Sequence, residues 1–72
     1  MELVLDGIRF EVSDRGFVRA VDTENNYTAT LFLKEDDRFR VVASNFPHAG
    51  KRYYEMLYIA ETNKRRLYGE AV

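Results

Sequence analysis

Tyr27-Thr28-Ala29-Thr30-Leu31-Phe32-Leu33, followed after Lys34-Glu35-Asp36-Asp37-Arg38 by Phe39-Arg40-Val41-Val42-Ala43, is the stretch on which the fold turns. Odd positions are apolar in both runs, and even positions of the first run are mostly polar, the two-residue period of a half-buried strand. Glu35-Asp36-Asp37 offers the turn. A three-residue connection pairs Leu33 with Phe39 and Leu31 with Val41, which keeps every apolar side chain on one side; a two-residue Asp36-Asp37 turn would not. One face of this hairpin is therefore dry, and the rest of the chain has to cover it.

The same logic extends upstream. Asp6-Gly7 between Glu2 to Leu5 and Ile8 to Val12 calls for a two-residue type I′ turn, because both turn positions need positive φ. That turn pairs Leu5 with Ile8 and Leu3 with Phe10. In Asp14-Arg15-Gly16 the glycine can close a three-residue loop, which sets Val12 opposite Val18 and Phe10 opposite Ala20. Thr23-Glu24-Asn25-Asn26 is a four-residue polar loop that brings Ala20 to Ala29 and Val18 to Leu31. The inward set is then Leu3, Leu5, Ile8, Phe10, Val12, Val18, Ala20, Ala29, Leu31, Leu33, Phe39, Val41 and Ala43. Agreement of separate turns on one parity predicts an antiparallel five-strand meander over residues 1–44.

Downstream, Pro47 ends the strand pattern and makes 45–50 a connecting loop. From Lys51 the apolar period becomes helical: Tyr53, Met56, Leu57, Ala60 and Leu67 share a stripe, and Lys51/Glu55 and Glu61/Arg65 are pairs four apart. Lys64, Arg65 and Arg66 suit a C-terminal helix end, and Gly69 can stop it. The expectation is one helix over 51–68, interrupted in its stripe by Asn63 and Lys64. A further hairpin folded about Thr62-Asn63-Lys64 is the competing assignment, given the strand propensity of Tyr58, Ile59 and Tyr68. The fold class is thus α+β: a five-stranded antiparallel meander, with a curled, barrel-like form as its structural variant, and one helix packed on one face.

Seventy-two residues make a single domain close to the lower size limit for a self-supporting core. At that size a core supplies ~3–5 kcal/mol. Cys 0 and His 1 remove disulfides and Cys/His metal sites, and a chain without cysteine suits a reducing compartment. No apolar run reaches membrane-spanning length, and Met-Glu-Leu-Val-Leu lacks the basic start of a signal peptide, so a cytoplasmic location without membrane or cofactor is expected. The formal charge of −1 selects no partner in bulk.

Distribution does more. The register that buries Leu31 and Phe10 turns Phe17 towards Phe32, with Arg40 beyond, on the opposite face; Arg19 follows Glu11, Arg9 faces Val21, and Lys34 faces Arg38 near the rim. Arg9, Phe17, Arg19, Phe32, Arg38 and Arg40 are therefore the candidate binding residues. Exposed phenyl rings among guanidinium groups suit a protein contact or a homodimer seam through Val4, Phe17, Val21, Phe32 and Val42. They also suit stacking of single-stranded nucleic acid. The plain alternative is strand propensity, with cross-strand Phe pairs stabilising the sheet. Catalysis finds little footing. His48 lies in a Pro-Gly loop, no spacing selects a carboxylate pair among Asp14, Asp22 and Glu24, and the glycines belong to turns and a helix end rather than a phosphate cradle. A non-catalytic binding module is the expectation, working through the outer face or an edge of its sheet.

Overall fold

Turn conformation sets the register in the computed structural model, which describes residues 2–69. Strand β1 (Glu2–Leu5) passes into β2 (Ile8–Val12) through Asp6 (φ 52°) and Gly7 (φ 77°), both in the left-handed region that a type I′ turn demands. Leu5 therefore faces Ile8, and Leu3 faces Phe10. Before β3 (Phe17–Asp22), Ser13 N–H donates to Phe17 O at 2.8 Å and Gly16 N–H donates to Ser13 O at 2.9 Å, with Gly16 at φ 84°. Between β4 (Tyr27–Leu33) and β5 (Phe39–Ser44) the same loop recurs: Lys34 N–H donates to Arg38 O at 2.9 Å and Asp37 N–H to Lys34 O at 3.0 Å. Asp37, at φ 67°, stands where Gly16 stands in the earlier loop.

The strands form one antiparallel sheet in sequence order, β1-β2-β3-β4-β5. β1 and β5 do not pair, so the sheet is open and the barrel-like variant is not adopted. Ile8, Phe10, Val18, Ala20, Ala29 and Leu31 are buried on the inner face.

At one place the expected register fails. Leu31 pairs with Val41, but Thr30 pairs with Ala43 and Ala29 with Ser44, leaving Val42 as the extra residue of a β-bulge. Ala43, expected to point inward, is exposed opposite Thr30. Two anchors one residue out of step account for this. The Lys34–Arg38 turn fixes one end of β5. Asn45 fixes the other, donating its N–H to Thr28 O at 3.0 Å and accepting Thr28 N–H on Oδ1 at 2.7 Å.

Helix α1 (Lys51–Thr62) lies over the inner face and buries Met56 and Ala60. Of its rise, ~18 Å, none extends past Asn63, where the chain leaves helical geometry at φ −118° and ψ 19°. Thr62 Oγ1 donates to Tyr58 O at 2.9 Å and Asn63 Nδ2 to Ile59 O at 2.9 Å, side-chain bonds that compete for the carbonyls of the helix and bend it. The single helix expected over 51–68 is thus divided at Asn63, one of the two residues that interrupt its stripe, while Lys64 begins the second piece. The short helix α2 (Lys64–Leu67) then returns Leu67 to the core, and Gly69 follows at φ 76°. Tyr68 donates its hydroxyl to Gly16 O at 2.8 Å, and burial pushes the phenol pKa up.

Asp22 fastens helix to sheet. It ends β3 on the inner side and is 1% exposed. Its carboxylate accepts Arg52 Nε–H at 2.9 Å, Asn25 Nδ2–H at 2.9 Å and Asn25 N–H at 3.3 Å. Arg52 goes on to reach Asp6 O at 2.9 Å, Asp6 Oδ2 at 3.2 Å and Glu55 Oε1 at 3.2 Å. Glu55 thus pairs with Arg52 rather than with Lys51, because Arg52 is the residue turned towards the sheet. Burial pushes the Asp22 pKa up, but the bonds from Asn25 and Arg52 together outweigh it and hold the carboxyl below 3.8. A carboxyl depressed on folding stabilises the protein above its unfolded value and loses that contribution as pH falls through the folded one.

Replacing Arg52→Leu strips the partner from a buried carboxylate and should cost about 3 kcal/mol at neutral pH. Urea unfolding should show the gap between wild type and variant narrowing below about pH 4, where protonation of Asp22 removes the uncompensated charge.

Candidate functional site

The outer face is built in rows across the strands. One row is Phe17–Phe32–Arg40. On one side of it, past β4 and β5, lie Lys34 and Arg38, joined by the turn hydrogen bond. On its other side runs Glu2–Glu11–Arg19–Thr30, and beyond that Val4–Arg9–Val21–Thr28. The Phe17 and Phe32 rings meet at 5.2 Å between centroids and 47° between planes. Phe32 is 39% exposed and Phe17 half-buried beneath its neighbours.

Val42, the unpaired residue of the bulge, lies beside this row. It is 54% exposed and, with Phe17, Phe32 and Arg40, lines an open groove of about 320 Å³. The groove's floor is sheet and its walls are those side chains alone. It can receive part of a partner's surface but cannot enclose a small molecule as a deep pocket does. Alternation along β5 already turns Val42 to this face; the bulge leaves it unpaired and puts Ala43 opposite Thr30 in its stead.

Charge pairing divides the cations. Arg9 Nε sits 3.4 Å from Glu11 and 3.9 Å from Glu2, so its charge is satisfied within the face. Glu2, which faces Glu11 across β1 and β2, is a second outer-face acid beside the Glu11 that the sequence pattern suggested. Lys34 lies 3.6 Å from Asp36 in its own turn. Arg19, Arg38 and Arg40 engage no carboxylate within ion-pair distance among the described residues. Arg19 stands directly opposite Glu11, yet Glu11 turns to Arg9. Of the six candidates, Phe17, Phe32 and Arg40 therefore meet in one groove, Arg19 and Arg38 flank it, and Arg9 stands apart in a closed ion pair.

Elsewhere the polar groups are occupied. Asp22, buried at 1% exposure, accepts three hydrogen bonds from Asn25 and Arg52 and serves as an anchor between sheet and helix. Its inward direction was present in the parity of β3, two residues past Ala20, but an aspartate at a core position does not announce its partner. Lys64 donates to Asp37 and pairs with Glu61 at 3.2 Å. His48 is exposed in its loop, 5.4 Å from the Tyr53 ring. No group of three or more His, Asp or Glu gathers as a metal site among the described residues. Comparison with known protein families, curated proteins and solved structures finds no match to this chain.

The two faces should answer mutation differently. Phe10→Ala opens a cavity in the core and should cost about 3–5 kcal/mol, enough to unfold a domain of this size. Phe32→Ala removes an exposed ring and one aromatic pair and should cost about 1 kcal/mol or less by urea denaturation.

Proposed function

We propose that this chain is a non-catalytic binding module that docks a protein, a second copy or another chain, on the outer face of its sheet. The observation that carries this reading is an apolar groove of Phe17, Phe32 and Val42 bordered by Arg19, Arg38 and Arg40, which have no carboxylate partner among the described residues. An apolar centre with arginine at its margin is the composition of protein docking patches. The core does not need these rings, since helix and inner face already bury Phe10, Leu31 and Met56 completely. No helix of the described residues is long and apolar enough to cross a membrane. The absence of cysteine supports a cytoplasmic site of action.

Single-stranded nucleic acid is the second reading, because exposed phenyl rings beside guanidinium groups are also what stacking platforms use. A platform needs flat ring faces open to bases. Here the rings tilt against each other at 47°, and Phe17 is half-covered, so the phenyl surface is better shaped for an inserted side chain.

Photo-cross-linking in the native host tests both. A benzophenone side chain at Val42 should give discrete adducts that protease removes and nuclease does not, while the same group at Tyr58 on the helix gives none. Equal adducts from both positions would overturn the reading, and nuclease-sensitive adducts at Val42 would transfer it to nucleic acid.

A further inference from the structure

We infer that the occupant of the groove is an extended acidic segment carrying one apolar anchor, with an acid two residues to either side of it, and not a second copy of this chain. This rests on the reading of the outer face as a docking surface. The chemistry follows from the charges. Among the described residues, Arg9, Arg19, Lys34, Arg38 and Arg40 share the face with two acids, Glu2 and Glu11, although the whole chain is formally −1. Two copies meeting through this face in a closed dimer would pack the same patch against itself, bringing Arg19, Arg38 and Arg40 of both into one seam whose acids, Glu2 and Glu11, are already engaged by Arg9. Like charges brought together at an interface disfavour that partner.

The apolar surface also lacks the continuity of a dimer seam. The Glu2–Glu11–Arg19–Thr30 row separates Val4 and Val21 from Phe17 and Phe32, so the apolar contact is confined to one groove. Strand pairing at the edges is hindered as well. Glu61 Oε2 accepts Phe39 N–H at 2.9 Å on the β5 edge, and the bulge at Val42 breaks the regular ladder beyond it.

The spacing follows from strand geometry. Arg19 lies two residues along β3 from Phe17, and Arg38, in the turn just before β5, lies two residues from Arg40 towards the opposite end of the strands. Each is displaced from the phenyl row by ~7 Å, the length of two residues in an extended chain. A peptide laid along the strands with an apolar side chain in the groove turns its residues at positions two before and two after to the same side. Carboxylates there come level with Arg19 and Arg38, and Arg40 stands beside the anchor. The motif is acid-x-apolar-x-acid, and charge-assisted bonds to guanidinium give it its preference.

Titration of the labelled protein with capped Glu-Thr-Leu-Thr-Glu, followed by amide chemical shifts, tests this. Shifts should centre on Phe17 to Arg19, Thr30 to Phe32 and Arg38 to Val42. Binding should weaken about tenfold for Lys-Thr-Leu-Thr-Lys, for Glu-Thr-Ser-Thr-Glu, and for the Arg19→Gln/Arg38→Gln protein, whose exposed substitutions leave the core intact. The inference is overturned if the lysine peptide binds equally, if the shifts fall elsewhere, if oligothymidylate binds the same residues more tightly, or if light scattering shows a dimer that Phe32→Ala dissolves. Failure of the peptide while protein adducts persist at Val42 would reject the acidic motif and leave the docking surface standing.

Discussion

Leu31 and Phe32 are neighbours in the chain, and the pleat sends one into the core and the other to the opposite surface. That alternation is the constraint from which the rest follows. A slip of one residue in any hairpin would exchange the two faces, burying Arg19 and exposing Val18. The turns prevent it. Asp6 and Gly7 hold a two-residue loop, and Gly16 and Asp37 close three-residue loops of one geometry, each in a left-handed conformation that matches its loop length. Dryness of one face and openness of the other are therefore a single property of the sheet.

A helix can cover only one side of such a sheet, and in this protein it is held there by polar contacts as well as by Met56, Ala60 and Leu67. Arg52 ties the β1–β2 turn and the end of β3 to the helix start, Lys64 ties the β4–β5 turn to α2, and Tyr68 reaches the β2–β3 turn. These contacts grip turns rather than the middle of strands. The outer face is left without cover from its own chain, and its groove is supported by strands whose register is fixed from beneath.

Charge follows the same division. The acids Asp6, Asp14, Glu24, Glu35, Asp36 and Asp37 lie in turns, and Asp22, Glu55 and Glu61 face helix–sheet contacts, whereas Arg9, Arg19 and Arg40 stand at outward positions of the strands and Arg38 at their rim. A chain with nearly balanced charge can therefore present a locally positive surface, because turns favour Asp and Asn while strand faces accept arginine.

Period-two alternation and the turn residues were enough, in the sequence alone, to determine the strand order, the pairing of Phe17 with Phe32 and the face on which both lie, because these depend on contacts between residues close in the chain. Tertiary structure alone decided the bulge at Val42, the break at Asn63, the Asp22–Arg52 pair and the division of the arginines into paired and unpaired. The bulge and the Asp22–Arg52 pair join groups far apart in sequence, whereas Thr62 and Asn63 at the helix end, Arg52 against Lys51 for Glu55 and Arg9 against Arg19 for Glu11 are contests between several possible donors that packing resolves. Such competition turns on differences of an ångström or two in reach, which composition and spacing do not encode.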